Sequence, residues 1–242
     1  MKESGSATSS LNFERPLVTV DVVIFCVQQD ALKLLLVPRP HNVQEPFPGR
    51  WALPGGFVDV KKDRSLLECA GRKLREKTGV ASPYLEQLGS WGDCDRDPRG
   101  WTTTHAYFAL IPMTARTETA PSPGSTESQW VEVDEASRKR LAFDHSKILG
   151  AAVARLRGKV EYTSLPAFLL TEPFTLPQLQ RTYETVLGRP VDKSAFRKRM
   201  LDADFLEETG VTQGLSKRVA TAYRIRDRDQ AVVFPRTFKA GE

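Results

Sequence analysis

The residues whose types and spacing bear most directly on chemistry lie in a glycine turn and the segment behind it. These are Gly55-Gly56-Phe57-Val58-Asp59, then Arg72-Lys73-Leu74-Arg75-Glu76-Lys77-Thr78-Gly79-Val80. Carboxylates along one helix face at such a place would hold a divalent metal ion, which needs hard and usually anionic oxygen ligands. Here Glu76 sits among Arg72, Lys73 and Lys77. A lysine ammonium is no ligand, so phosphate chemistry at this helix lacks its Lewis acid. At about 4 Å and an effective dielectric near 20, a unit charge interacts with a divalent ion by on the order of 8 kcal/mol, attractive for a carboxylate and repulsive for a lysine. A working hydrolase would have to gather metal with Glu76 and outside carboxylates such as Asp59, Asp63 or Glu68. A second concentration of charge, Arg189, Lys193, Arg197, Lys198 and Arg199, falls in a short stretch whose one acid is Asp192. A phosphate backbone could dock there.

These groups need elements to position them. From Leu17 the alternation through Val18, Val20, Val22, Ile24 and Cys26 reads as a half-buried strand, with Leu32 to Val37 as its hairpin partner. The turn formers Pro46-Phe47-Pro48-Gly49-Arg50 lead through Trp51-Ala52-Leu53-Pro54 into the glycines. Ser65 to Thr78 carries Leu66, Leu67, Ala70 and Leu74 at amphipathic spacing, and Gly79 is placed to stop the helix. Strands are expected at 84–91, 102–111 and 129–133, and a helix at 144–157 through Ile148, Leu149, Ala152, Val153 and Leu156. Polar insertions at 93–100 and 114–128 have a length that is often functional or mobile.

Further on, Thr175 and Gln178 read as a capping box, with Pro177 tolerated in the first turn of a helix. Leu176, Leu179, Tyr183, Val186 and Leu187 form its buried stripe and Gly188-Arg189-Pro190 breaks it. Asp192 caps a following helix lined by Phe196, Met200 and Ala203. Two helices about a four-residue turn, then strands at 205–207 and 219–225 around a tip carrying Lys217 and Arg218, make a winged helix-turn-helix plan. With Phe196 and Met200 inward, Lys193, Ser194, Arg197 and Lys198 face outward. Arg197 is then the first choice for a guanine contact in the major groove, and Lys217 and Arg218 suit phosphate or the minor groove. A solvated basic helix face is the plainer reading of the same residues.

At 242 residues, 40% hydrophobic and 27% charged, the chain has an ordinary globular composition with room for two domains. The division expected is a disordered tail at 1–14, a first domain at 15–160 and a second at 161–242. A net charge of +5 permits a polyanionic partner without requiring one. No apolar run approaches the roughly 18 residues of a membrane span, and the N-terminus lacks the apolar core of a signal peptide, so a cytoplasmic place and no membrane partner are expected. Cys26, Cys69 and Cys94 have no metal-type spacing and read as reduced thiols.

The glycine turn and its helix resemble the Nudix box, Gly-x5-Glu-x7-Arg-Glu-x2-Glu-Glu-x-Gly. Arg64, Lys73 and Lys77 stand at three of the four acidic positions, Glu76 keeps the fourth, and the run from Gly56 to Arg72 is two residues longer than the pattern. With the second motif, Phe174-Thr175-Leu176 through Tyr183-Glu184, Val186-Leu187-Gly188, Asp192-Lys193 and Phe196-Arg197, the chain resembles the Nudix-related transcriptional regulators, the NrtR family, over about residues 15 to 226. The resemblance implies an α+β fold, a Nudix-like α/β/α sandwich followed by a winged helix-turn-helix. It implies a repressor, usually of NAD biosynthesis or salvage genes, that binds a palindromic operator on double-stranded DNA as a homodimer and leaves it when ADP-ribose fills the Nudix domain. Some members control sugar catabolism instead. No catalytic residue, metal or required cofactor is expected, and ADP-ribose is the expected effector.

Candidate effector contacts are Arg39 and Arg50 for phosphate, Gly56 and Asp59 beside the turn, and Trp51 and Phe57 for adenine stacking, although aromatics beside a turn more often belong to the core. Arg72 and Glu76 complete the set, with Arg72 either meeting the diphosphate together with Lys73 or Lys77, or bracing the loop on a carboxylate. Two rivals stand beside this reading, an active ADP-ribose pyrophosphatase with an accessory domain and an effector-insensitive architectural module.

Overall fold

The computed structural model describes residues 14–79, 84–113, 128–213 and 219–238. Strand β1 (Leu17–Gln28) turns at Gln29 and Asp30 into β2 (Ala31–Pro38), followed by the short β3 (Trp51–Ala52) and β4 (Gly55–Phe57). Helix α1 (Leu66–Thr78) precedes β5 (Tyr84–Asp93), β6 (Thr102–Leu110) and β7 (Gln129–Glu132). Helices α2 (Val133–Arg138) and α3 (His145–Val160) lead to a 3-10 turn (Leu165–Leu169). Helices α4 (Leu176–Leu187) and α5 (Lys193–Asp202) and strands β8 (Leu206–Gln213) and β9 (Val219–Ile225) complete the described chain. Helix α2 was not expected, and five residues rather than four separate α4 from α5. The expected tail at 1–14 falls outside the described residues up to residue 13, as do the wing-tip residues Lys217 and Arg218.

The sheet runs β3-β2-β1-β6-β5, with β4 pairing on β1 and β7 on β2. β1 and β6 are parallel neighbours, whereas β2 and β4 pair antiparallel along successive halves of the other edge of β1. Because β1 is enclosed on both edges and both faces, it reads as a run of buried apolar residues from Val22 to Cys26. One face, with Val20, Val22, Ile24, Tyr107 and Ala109, is covered by Cys69, Ala70 and Leu74 of α1. Ser65 caps that helix by accepting from the Glu68 amide, and Gly79 ends it at φ +67°. Leu67 departs from the expected stripe and is 54% exposed, because it lies about one residue's turn off the line through Leu66, Ala70 and Leu74.

The opposite face carries Val23, Phe25, Leu34, Phe108 and Leu110 and is covered by Ile148, Leu149, Ala152 and Leu156 of α3. The same apolar cluster continues without a break through Phe168 and Leu169 into Leu179, Tyr183, Phe196 and Met200 of the helix-turn-helix. Thr175 and Gln178 make the capping box that starts α4, and Gly188, at φ +71°, ends it. Residues 231–238 return along the end of α3. The Ser164 amide donates to the Val232 carbonyl at 2.9 Å and the Phe234 amide to the Tyr162 carbonyl at 2.7 Å. Phe234 and Phe238 are buried there, with Phe238 against Tyr183 and Phe196.

A shared core predicts shared unfolding. Phe168 is fully buried and meets Tyr84 of β5 edge-on at 5.5 Å. Phe168→Ala is expected to cost about 3 to 5 kcal/mol and to lower one common calorimetric transition. A variant in which one half melts early while the other keeps its wild-type midpoint would separate the two cores.

Candidate functional site

At the end of the face covered by α3, the sheet opens into a cavity of about 300 Å³. Thr19 and Asp21 of β1 form its floor. Around it stand Arg39, the glycines and Phe57 of β4, Lys77 of α1, Arg96 and Arg99 from the β5–β6 loop, and Phe143 and His145 at the head of α3.

The floor is built on buried charge. Arg96, 3% exposed, donates through Nη2 to Asp144 Oδ1 at 2.8 Å and to Asp21 Oδ2 at 3.3 Å, while its Nε lies 3.1 Å from both Asp144 oxygens. The Leu53 amide donates to His145 Nδ1 at 2.9 Å. That contact assigns the ring proton to Nε2, 3.5 Å from Asp21 Oδ2. Burial pushes the Asp21 carboxyl up, but His145, the Thr104 hydroxyl and Arg96 together outweigh it and hold it below the ordinary carboxylate range. Gly55 is required because a Cβ there would lie 2.0 Å from Asp21 Oδ1. Gly56 is required because its φ is +143°.

Cations and aromatic rings alternate along the wall. Arg99 stands over Phe57 at 5.0 Å and Arg39 over Phe143 at 5.1 Å. Asp97 holds Arg99 through Nη2 at 2.7 Å and Nε at 3.0 Å, and Glu45 holds Arg39 at 2.7 Å. The rim therefore presents guanidiniums fixed in place by carboxylates behind them.

Of the expected effector residues, Arg39, Gly56 and Phe57 line this cavity. Five others do not. Arg50 is turned onto the Phe47 ring at 5.2 Å and lines a neighbouring cavity. Trp51 is half-buried and packs on the core. Asp59 is occupied in its own loop, its Oδ1 accepting from the Lys61 amide at 3.0 Å. Arg72 donates to both Asp63 oxygens at 2.7 and 2.6 Å and to Glu76 Oε1 at 2.8 Å, so it braces the loop and engages the surviving box carboxylate. Arg64 remains outside the cavity, its amide donating to Glu68 at 2.8 Å. Asp21, Arg96, Arg99, Phe143 and His145 were missed as site residues. The polar insertion at 93–100 was the signal for two of them, without saying which side chains turn inward.

On the helix-turn-helix, Lys193, Ser194, Arg197 and Lys198 are exposed on α5, opposite buried Phe196 and Met200. Lys198 pairs with Asp202 at 2.7 Å on the open surface. Two cations of the expected docking stretch serve the fold instead. Arg189 donates to Glu161 at 2.8 Å, and Arg199 lies over Phe238 at 3.9 Å while donating to the Thr237 carbonyl at 2.8 Å.

Comparison with known proteins matches both halves of the fold. Residues 16–151 match the NUDIX domain, and residues 166–225 match the NrtR DNA-binding winged helix domain. The chain is 46% identical over 225 residues to the ADPR responsive transcriptional repressor NtrR of Acinetobacter baylyi, spanning 93% of this chain and 88% of that protein. The chain belongs to the NrtR family. NrtR of Shewanella oneidensis, solved in complex with a 27mer DNA, superposes with a TM-score of 0.84 at 39% identity, covering 92% of this chain and 99% of that one. The NUDIX domain of the same NrtR, solved with ADP ribose, gives a TM-score of 0.52 at 41% identity, over 60% of this chain and 90% of that one. Among the described residues no helix is long and apolar enough to cross a membrane.

The Arg72 brace carries a pH signature. Asp63 is 2% exposed, and its hydrogen bonds from Arg72 hold its carboxyl far below the ordinary range. The brace therefore contributes stability above the unfolded carboxylate value of about 4 and loses it as pH falls through the folded value. Asp63→Asn is expected to lower the thermal midpoint at pH 7, with the gap to wild type closing in strong acid. A gap that stays constant down to that range would remove Asp63 from the brace.

Proposed function

We propose that this chain is a transcriptional repressor that holds operator DNA through the exposed face of α5 and releases it when ADP-ribose fills the cavity above Asp21. The observation that carries the reading is that similarity spans both domains at once, including relatives solved on DNA and with ADP ribose. Arg197 reads a base edge, Lys193, Ser194 and Lys198 seat the helix, and Lys217 and Arg218 at the wing tip meet the backbone. The protein acts in the cytoplasm as a homodimer on a palindromic operator, controlling NAD biosynthesis or salvage genes. It is not a hydrolase, because Glu76 is bound to Arg72 and stands between Lys73 and Lys77.

Release requires the ligand to favour one arrangement of the protein over another. Helix α3 supplies the connection. Its 16 residues span about 24 Å. Asp144 and His145 at its head belong to the cavity floor, while Arg157 donates to the Val186 carbonyl of α4 at 3.2 Å and Glu161, just beyond it, holds Arg189. A ligand that shifts Arg96 pulls on the helix whose far end grips the DNA-binding unit.

Fluorescence anisotropy with a labelled promoter fragment tests the reading. Salt-sensitive binding reversed by ADP-ribose is expected, and binding indifferent to ADP-ribose would reopen the effector. Arg197→Ala should cost about 1 to 3 kcal/mol of operator affinity and relax base preference. Arg189→Ala should leave ADP-ribose binding unchanged while weakening its effect on DNA affinity by about fivefold or more. Full release in that variant would take α3 out of the coupling.

A further inference from the structure

A hydrolase of this fold would carry a divalent ion on α1, and the donor set here does not fit one. Among the described residues no group of three or more His, Cys, Asp and Glu side chains could hold a metal ion. Glu76 accepts from Arg72 at 2.8 Å, and Asp63 is occupied by Arg72 and by the Asp59 amide. Beside them Lys73 and Lys77 are one helical turn apart on the same face of α1. Lys77 lines the cavity. Lys73 reaches the same wall from outside, its Nζ 2.9 Å from the position a Cβ would take on Gly56. Neither lysine has an ion-pair partner among the described residues, whereas Arg72, Arg39 and Arg99 are each held by a carboxylate.

We propose that Lys73 and Lys77 stand in for the absent metal, clamping the ligand's diphosphate against the Gly55–Gly56 backbone, so that the site takes a nucleoside diphosphate without any divalent ion. The assignment rests on the reading of the cavity as an ADP-ribose site and says which groups neutralise that ligand. Two ammonium groups supply the same formal charge as one divalent ion. Each is a compact point charge on a flexible stem, suited to phosphate oxygens. Lys77 lies in the last turn of α1, where the helix dipole favours a cation. The long Lys73 side chain fills the space beside Gly56 that a Cβ would have taken, which sets its ammonium against the glycine turn.

The test is titration calorimetry on the full chain with ADP-ribose and, separately, with inorganic pyrophosphate, each in excess EDTA and in magnesium. Wild type is expected to bind both probes in EDTA, with no divalent ion present. Lys73→Ala/Lys77→Ala should weaken both by about tenfold per lysine removed. Lys73→Arg/Lys77→Arg, which keeps the charge, should stay within a few-fold of wild type, and circular dichroism should show all three proteins folded. Wild type that binds in magnesium but not in EDTA, undiminished pyrophosphate binding in the alanine variant, or an arginine variant as weak as the alanine one would each overturn the assignment. Wild type that binds pyrophosphate through these lysines but ignores ADP-ribose would keep the clamp and remove the effector reading instead.

Discussion

One guanidinium holds the interior of the first domain in register. Arg96 lies between Asp21 and Asp144, which come from the central strand and from the head of a helix 123 positions later in the chain. Two carboxylates and an imidazole in so buried a place are tolerable because every charge has a partner. Removing one member of such a set typically costs about 3 to 5 kcal/mol, since the remaining charge is left uncompensated. The constraint also spreads outward. Gly55 must be glycine to let β4 pass Asp21, the β5–β6 loop must fold inward to deliver Arg96, and α3 must begin where Asp144 can meet it. The cavity is what remains between these fixed pieces.

The floor of that space is a buried set of mutually paired groups. Arg96 is held by Asp144, which stands at the N-cap of α3, so a change at Arg96 bears directly on the start of that helix. That helix lies in the apolar cluster that continues into α4 and α5, so the two domains share side-chain packing beyond the chain that joins them. Packed interiors respond to displacement by switching between arrangements more readily than by gradual deformation. The segment at 231–238 adds to the same effect from the other side. By seating Phe238 against Tyr183 and Phe196 it ties the position of α5 to the far end of α3.

What could be read from the sequence was local or periodic. The capping box of Thr175 and Gln178, the left-handed glycines at 79 and 188, and the α5 stripe of Phe196 and Met200 all have signatures within a few residues, and the structure follows them. The cavity was harder because its members meet across long separations. Arg96 finds Asp144 48 residues away and Asp21 75 residues away, and no spacing rule reaches that far. Trp51 and Arg50 beside the glycine turn had the right chemistry for a ligand, but their side chains leave the strand toward the core and toward Phe47. Arg189 and Arg199 counted toward a basic patch by charge alone. Their partners, Glu161 and the aromatic residues near the end of the described chain, show no periodicity that would have drawn them together beforehand.

The survival of a Nudix architecture around an altered box follows from what a sensor requires. A hydrolase lowers the barrier to breaking the diphosphate it binds, so its ligand is present only for a turnover. A sensor must bind the same group and leave it whole. Under the lysine clamp proposed above, exchanging ligand-binding acids for lysines serves both ends, because it would remove the Lewis acid that activates water while keeping positive charge for the phosphates. The carboxylates left nearby do not undo this. Glu76, the one box acid that survives, and its neighbour Asp63 are both engaged by Arg72 and hold a loop, while Lys73 and Lys77 have no ion-pair partner among the described residues.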